Sequence, residues 1–391
     1  MNPAELKQSA LHLLEENILC FWTDKLCDPN GGFYGRMDGQ NVLHPEAERG
    51  AVLNARLLWA FSAAYRVLRK QEYLEAANWA KDYIETHFLD REQGGVFWSL
   101  NADGTPLDTK KQIYAIGFMI YAFSEYARAT GDEQAKQLAI DLFNDIESHA
   151  FDAEHVGYME ALTRDWQPIE DMRLSDKDEN AVFTMNTHLH ILEPYTNLYR
   201  IWPDERLRQR LITLIGIFTN RLYNKENHHV DCFFDVHWNG RRNIASYGHD
   251  IEAAWLINEA LSVLIPQELK SANYETRITH NIAVASLEGL QSDGSMVHEN
   301  NDASRQWWVQ CEAVIGFIDQ WQLTNEEKWF QRAENTYLYI ANHLVDKKQG
   351  EWYWAILPDG TIDRANDKAG FWKCPYHNSR MCLELIERLQ A

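Results

Sequence analysis

The sequence has 391 residues, an apolar fraction of 45%, 15 tryptophans and 17 tyrosines, which is sufficient for a large core. Its formal net charge of -21 argues against nucleic acid or an anionic membrane as a partner, because both attract clustered lysine and arginine. Six scattered cysteines without a CxxC pair are typical of reduced thiols. Residues 1–22 lack the pattern of a signal peptide, and no apolar run approaches the roughly 18 residues of a membrane span. We therefore expect a cytoplasmic protein.

A polar turn followed by a short aromatic strand recurs along the chain. The first copy is Asp28–Gly35, and later copies begin near Asp90, Asp152, Asp231, Asp293 and Gly350. A spacing of roughly 50 to 75 residues is typical of a repeat architecture. Each copy is expected to form a β-hairpin.

Helical periodicity occupies the segments between these turns, usually as a pair of helices. An N-terminal stretch near 4–25 comes first, and Leu53, Leu57 and Phe61 follow a helical period. Two further helices are predicted in the segments that contain Tyr114 and His190. The other predicted helices lie near 72–88, 133–149, 204–223, 249–265, 268–290, 307–322, 326–344 and 376–389. Twelve helices in six pairs, with no Pro/Gly/Ser-rich linker, predict an all-α (α/α)6 barrel and a single domain over residues 1–391. The hairpins should gather at one mouth.

The pairing predicts which helices line the barrel. The helix after each hairpin should be the inner one, and these six helices carry Arg56, Tyr114, His190, His249, Trp308 and His377. Arg56 lies in an otherwise apolar helix, where a charge needs a partner or a ligand. The polar residues of most interest are thus expected to face one cavity.

Two histidines share one segment, Thr184–His190. His188 and His190 are two apart and face different sides of a helix, so only one is expected to point inward. Asn186 lies four residues before His190 and shares its face. We therefore assign His190 to the cavity and His188 to a supporting position.

The other two histidine segments have carboxylate or arginine neighbours at helical spacing. His249 and Glu252 are three apart, which places a carboxylate where it can orient the imidazole, and Gly248 is expected to permit a tight entry turn. His377 and Arg380 are three apart after Cys374 and Pro375, a helix start that favours neutral imidazole. On another helix, Trp308 and Glu312 are four apart, a stacking ring beside a carboxylate.

Imidazoles that titrate near neutral pH suit reversible proton transfer. The sequence contains no HExxH, P-loop, Rossmann glycine fingerprint, GxSxG or EF-hand loop. No metal and no cofactor is therefore expected.

Three long motifs resemble the cellobiose 2-epimerases of the N-acylglucosamine 2-epimerase superfamily. They are Ser246–Ala253 (SYGHDIEA), Trp307–Gln310 (WWVQ) with Glu312, and Trp372–Asn378 (WKCPYHN) with Arg380. Thr184–His190 and Asn30–Gly35 fit as well. The resemblance covers essentially the whole chain and implies an (α/α)6 barrel that acts on reducing sugars in the cytosol without a metal.

The resemblance also implies roles for individual residues. His377 and His249 match the two acid/base histidines of the family, and His190 matches a third essential histidine. Arg56 matches the arginine at the reacting end of the sugar, and Glu252 and Glu312 match supporting carboxylates. The remaining matches are substrate-binding residues: Tyr114, Asn186, Trp308, Trp372 and, less closely, Trp354.

Several activities fit this pattern, and the expected partner in each is a small sugar bound by a monomer. The favoured hypothesis is a 2-epimerase that interconverts glucose and mannose at the reducing end of β-1,4-linked disaccharides. The alternatives are a mannose 2-epimerase, an aldose–ketose isomerase, an inverting glycoside hydrolase that uses Glu252 and Glu312, and a sugar-binding barrel without catalysis. The hydrolase would need those carboxylates roughly 6.5–9.5 Å apart across the scissile bond.

Overall fold

A computed structural model describes residues 1–240, 244–264 and 274–389. In this part of the chain the helices are α1 (Pro3–Leu13), α2 (Ala51–Leu68), α3 (Gln71–Tyr83), α4 (Ile113–Thr130), α5 (Glu133–His149), α6 (Met185–Ile201), α7 (Glu205–Ile217), α8 (Tyr247–Leu264), α9 (Tyr274–Ala285), α10 (Trp307–Thr324), α11 (Glu327–Tyr339) and α12 (His377–Arg388). The predicted all-α class is confirmed. The helix predicted near 268–290 begins outside the described residues, and so does the predicted end of the preceding helix at 265.

Two concentric rings of helices form the barrel. Helices α2, α4, α6, α8, α10 and α12 pack side by side, and α12 closes the inner ring against α2. Each of the other helices packs on an inner one: α3 on α2, α5 on α4, α7 on α6, α9 on α8, α11 on α10, and α1 on α12. The prediction that the helix after each hairpin is an inner one is therefore confirmed. Helix α1 completes the barrel by packing on the last helix of the chain.

The outer helices α3, α7 and α11 end in a wider helical turn. Their last residues form π-helical segments at Ile84–Phe88, Phe218–Leu222 and Ile340–Leu344. A tight hairpin follows each one, and it is closed by a single bridge, such as that between Leu89 and Val96 or between Val345 and Trp352. The recurring turns identified in the sequence therefore lie where the chain leaves the outer helices.

Short strands connect neighbouring repeats at the mouth of the barrel. They are β1 (Arg49–Gly50), β2 (Ser99–Leu100), β3 (Pro106–Asp108), β4 (Lys111–Gln112), β5 (Phe151–Asp152), β6 (Gly157–Tyr158), β7 (Ala161–Leu162), β8 (Phe183–Thr184), β9 (Phe233–Phe234), β10 (Arg305–Gln306) and β11 (Ala355–Ile356). The antiparallel pairs are β1–β2, β2–β3, β4–β7, β5–β6, β8–β9 and β10–β11. Strands β1, β4, β8 and β10 each precede an inner helix and pair with a strand that follows the next outer helix. This pairing fixes the N-terminal ends of those inner helices at one mouth.

Ion pairs and hydrogen bonds join the inner helices at the opposite mouth. Arg66 of α2 contacts Glu125 of α4 and Glu387 of α12. Around the rest of the ring, Asn197 of α6 donates to Glu125, Arg200 of α6 pairs with Glu259 of α8, and Arg388 of α12 pairs with Glu259 and with Asp319 of α10. The C-terminal ends of the inner helices thus form a charged, interlocked ring. In the described part of the chain, no helix has the length and apolarity needed to cross a bilayer.

Candidate active site

A cavity of about 430 Å³ opens at the mouth where the inner helices begin. It is lined by every predicted site residue except Glu312: Arg56, Tyr114, Asn186, His190, His249, Glu252, Trp308, Trp354, Trp372 and His377. These residues come from distant parts of the chain, and the helical ring brings them together. The volume falls within the range of small-molecule sites.

His377 is the first residue of α12, and its ring is oriented by a carboxylate. Its Nδ1 lies 2.6 Å from Oε1 of Glu312, and the side chain is almost fully buried. Since a carboxylate accepts, this bond places the ring proton on Nδ1 and leaves Nε2 as the free base. Glu312 therefore contacts His377 from the side away from the cavity, and for this reason it does not line the cavity itself.

Glu312 has two further donors. Its Oε1 accepts a hydrogen bond of 2.7 Å from Nη2 of Arg380, and its Oε2 accepts one of 2.9 Å from the indole of Trp255. Burial raises the pKa of Glu312, and the Arg380 guanidinium opposes that rise. The carboxylate is therefore fixed in position by three donors, and it fixes His377 in turn.

His190 is oriented by a carboxylate that the sequence analysis did not identify. Nδ1 of His190 lies 2.9 Å from Oε2 of Glu193, one turn further along α6. Glu193 also contacts the Tyr376 hydroxyl and Arg380. Burial opposes ionisation, but Arg380 and His190 together hold the pKa of Glu193 at about 2. The three-residue spacing from His190 was the available signal in the sequence.

The expected pairing of His249 with Glu252 is wrong. Nδ1 of His249 lies 2.8 Å from the hydroxyl of Ser246, and Glu252 instead accepts a hydrogen bond of 2.7 Å from Arg380. Glu252 lies beside Glu312 in the buried site, and burial followed by repulsion from Glu312 raises its pKa. A guanidinium offers this carboxylate a charge-assisted bond that a neutral imidazole does not match.

Arg380 is the centre of a buried ionic cluster. Its guanidinium contacts Glu193, Glu252 and Glu312, which lie on α6, α8 and α10. Two of these carboxylates hold histidines that line the cavity, so one arginine supports both His190 and His377. In the sequence, Arg380 stands out only by its spacing from His377 and by its place in the WKCPYHN motif region, neither of which indicates these partners.

Arg56 has aromatic and neutral partners among the described residues. Its Nη2 donates a hydrogen bond of 2.8 Å to the Tyr114 hydroxyl, and its guanidinium carbon lies 4.2 Å from the ring centre of Phe118 and 4.5 Å from that of Tyr376. Its buried Nε has no hydrogen-bond partner in the part of the chain that the structure describes. A cation held by rings keeps most of its charge available to an anionic ligand.

The ring of Trp308 contacts two histidines of the cavity, His249 and His377. Its ring centre lies 4.8 Å from that of His249 and 5.7 Å from that of His377. Gly248 lies inside α8 rather than at an entry turn, so its expected role is corrected. A side chain there would come within 2.7 Å of the Trp308 ring, and glycine therefore permits this close packing.

His190, His249 and His377 all favour the neutral form. Burial is the largest cause of the lowered pKa of His190, His249 and His377. Nearby positive groups add to it: Arg56 and Arg380 for His377, and other histidines for His249. The N-terminal ends of the inner helices act in the same direction, since their dipoles disfavour a cation. Neutral imidazoles are ready to accept protons.

The structure adds residues that the sequence did not point to. His298 and Gln306 line the cavity, and so does the loop segment 174–178. His298 is held by Asp302 at 3.0 Å and contacts the edge of Trp308. His188, by contrast, is buried away from the cavity: its Nε2 accepts from the Tyr158 backbone amide.

The cluster of Glu252, Glu312 and His377 does not fit two other chemistries, metal binding and inverting hydrolysis. Their ligand atoms lie within 4.8 Å of one another, which would suit a metal ion by distance. Arg380 already donates to both carboxylates, however, and its positive charge beside them disfavours a second cation at this place. The carboxylate oxygens of Glu252 and Glu312 lie within 4.8 Å of each other, which is closer than the roughly 6.5–9.5 Å that an inverting hydrolase needs.

Comparisons with known proteins agree on one group of enzymes. A family model described as N-acylglucosamine 2-epimerase (GlcNAc 2-epimerase) matches residues 32–380. A cellobiose 2-epimerase from Bacteroides fragilis is 53% identical over 388 residues, which is 97% of this chain and 98% of that protein. The solved cellobiose 2-epimerase of Bacillus thermoamylovorans B4167 superposes with a TM-score of 0.94 at 40% identity, covering 98% of this chain and all of the other. A solved D-mannose isomerase, with a TM-score of 0.86 at 19% identity and 97% of each chain covered, shares the fold.

Proposed function

The chain belongs to the N-acylglucosamine 2-epimerase family, and we propose that it interconverts glucose and mannose at the reducing end of β-1,4-linked disaccharides of the cellobiose and mannobiose type. The high identity to proteins named cellobiose 2-epimerase supports a disaccharide over free mannose. The chain is an isomerase, and the chemistry proposed below uses its own side chains.

The reaction begins with opening of the sugar ring. The C2 hydrogen of a closed pyranose is not acidic, but the open form places an aldehyde beside it and makes it removable as a proton. His190, held by Glu193 beside Tyr114, is assigned to ring opening or to holding the open chain. A positioned general acid or base contributes typically 10²–10⁴-fold to such a step.

Inversion at C2 requires proton transfer on both faces of a planar intermediate. One histidine removes the proton to give a cis-enediolate, and the other returns a proton to the opposite face. We assign these roles to His377 and His249, which exchange with the direction of reaction. The ring of Trp308 contacts the rings of both histidines, and both histidine side chains line the same cavity.

The negative charge of the enediolate is assigned to Arg56. Its guanidinium lies in the same cavity with a buried, unpaired Nε among the described residues. A preorganised donor aimed at developing charge is typically worth several kcal/mol in the transition state. Tyr114 positions Arg56 through its hydroxyl, and Asn186 supplies a further polar contact to the sugar.

The observation that carries this proposal is the convergence of His249 and His377 on one tryptophan-lined cavity. A single histidine would suffice for moving a proton between C1 and C2, so an aldose–ketose isomerase does not require the second one. The tryptophans Trp308, Trp354 and Trp372 supply flat rings that stack on sugar C–H faces.

A substrate panel tests the proposal. The purified enzyme is incubated separately with cellobiose, mannobiose, mannose and glucose, and epimers and ketoses are quantified separately. We expect cellobiose and mannobiose to give their C2 epimers at least tenfold faster than the monosaccharides react. Fructose-type products as the main outcome would favour the isomerase, and release of monosaccharide from a disaccharide would favour a hydrolase.

We also infer the setting in which the enzyme works. The acidic charge of -21 and the size of the cavity, about 430 Å³, favour a small sugar as partner rather than nucleic acid or membrane. Residues 1–391 are proposed to act as one catalytic domain, as a monomer in the cytoplasm.

A further inference from the structure

The two acid/base histidines differ in the group that holds their inner ring nitrogen. Nδ1 of His377 lies 2.6 Å from a Glu312 carboxylate oxygen, whereas Nδ1 of His249 lies 2.8 Å from the Ser246 hydroxyl. A carboxylate is charged and only accepts, so it stabilises an imidazolium strongly. A hydroxyl is neutral and rotates to donate or to accept. The two rings are therefore not equivalent bases.

Ser246 is held rigidly beside the ring. Its side chain is buried, and its residue pairs with Glu299 across the mouth. The backbone amide of Tyr247 donates to the His298 carbonyl, and that of Asn300 donates to the Ala245 carbonyl. These bonds fix the chain on both sides of Ser246, so its hydroxyl has a defined position relative to His249.

We propose that Ser246 is a positioning residue whose neutral hydroxyl, in the place that a carboxylate takes beside His377, leaves His249 the weaker base and the stronger acid of the catalytic pair. The proposal rests on the 2-epimerase function proposed above. In it, His377 with its carboxylate partner holds a proton more firmly, and His249 with its neutral partner releases one more easily. Ser246 also lets the ring of His249 switch which nitrogen carries the proton, since the hydroxyl serves either tautomer.

The surroundings of His249 contain several other ionisable groups. On its own helix stands Glu252, which is bound to Arg380. The remaining groups come from other elements and line one of the two cavities that His249 also lines: Arg56, Tyr114, Glu160, Arg173, Asp176, Lys177, Asp178, Glu179, His190, Cys232, His298, Glu299 and His377. Burial lowers the pKa of His249, and His298, His190 and His377 lower it further. Ser246 brings no charge that would counter these effects.

Three substitutions at one position test this role. Ser246→Asp places a carboxylate at the ring nitrogen, Ser246→Ala removes the partner, and Ser246→Thr keeps a hydroxyl. The limb of the bell-shaped pH profile of kcat/KM that His377 sets should not move in these variants. A carboxylate partner favours the charged imidazole of His249, so the limb that His249 sets should move up by roughly one pH unit in Ser246→Asp. It should move down in Ser246→Ala, and stay in place in Ser246→Thr.

The matched control is Ala245→Asp, which adds the same charge one residue away without a bond to the ring. Thermal unfolding of every variant shows whether the fold is retained. A profile that keeps its position in both Ser246→Ala and Ser246→Asp while its height falls would overturn the proposal, because it indicates a purely structural serine. A shift in Ala245→Asp as large as that in Ser246→Asp would also overturn it.

The result for Ser246 can be distinguished from the result that tests the proposed function. Turnover of the disaccharide by the unmodified enzyme tests the function, whereas the relative position of the pH profiles tests Ser246. If another sugar of the panel proves to be the substrate, the same profiles are measured with that sugar.

Discussion

Replacing His377 with asparagine should reduce the rate of cellobiose epimerisation by about 10²–10⁴-fold, which is the usual contribution of a positioned general acid or base. Asparagine preserves a donor toward Glu312 but has no group that takes a proton at neutral pH. The proposed role of His377 is on one face in both directions of the reaction, and we therefore expect the loss to be equal for the glucose and the mannose configuration. Initial rates in both directions, measured by separating the two epimers, check this expectation.

The control is His280→Asn, which alters a histidine on the outer helix α9 that bonds Gln320. This variant should retain nearly full activity. The far-UV circular dichroism and the melting temperature of His377→Asn should match the parent enzyme closely. Activity within tenfold of the parent would remove His377 from its assigned role.

Replacing Arg380 with methionine should destabilise the protein by about 3–5 kcal/mol, the usual cost of leaving buried charges without their partner. The substitution deprives Glu193, Glu252 and Glu312 of their common cation. His190 and His377 would then lose the fixed carboxylates that orient them. Unfolding by urea measures the stability, and cellobiose epimerisation measures the activity, which should fall by 10²-fold or more.

Two further variants serve as controls for this prediction. Arg380→Lys retains the charge but not the planar fork, so it should be more stable than the methionine variant and still impaired in catalysis. Arg36→Met removes an exposed pair with Asp367, which should cost at most about 1 kcal/mol. Equal stabilities of Arg380→Met and Arg36→Met would contradict a central role for Arg380.

The barrel was predictable because its signals are local. Apolar periodicity marks each helix, and the recurring turn that begins at Asp28 marks each repeat. The assignment of inner helices followed from their order after the turns, and it placed Arg56 and His190 in one cavity. Pairing between strands of successive repeats was not predictable, since strands of two residues carry no period.

The partners of the site residues were less predictable. Spacing correctly put His190 and Asn186 on one face, but it also suggested a His249–Glu252 pair that the fold does not form. Glu252 bonds Arg380 instead of His249, because the guanidinium is the strongest donor near this carboxylate, although it lies 128 residues away in the sequence. A single sequence does not reveal such distant contacts. Ser246 and Glu193 were each three residues from a histidine and were within reach of local reasoning.

Exchange of the C2 hydrogen with solvent tests the central claim most directly. Cellobiose is incubated with the enzyme in heavy water, and the C2 position of the epimeric product is followed by NMR. Two histidines that act on opposite faces predict that deuterium enters at C2 of the product in step with its formation. Product that forms at the full rate and carries no deuterium at C2 would contradict proton transfer through separate bases.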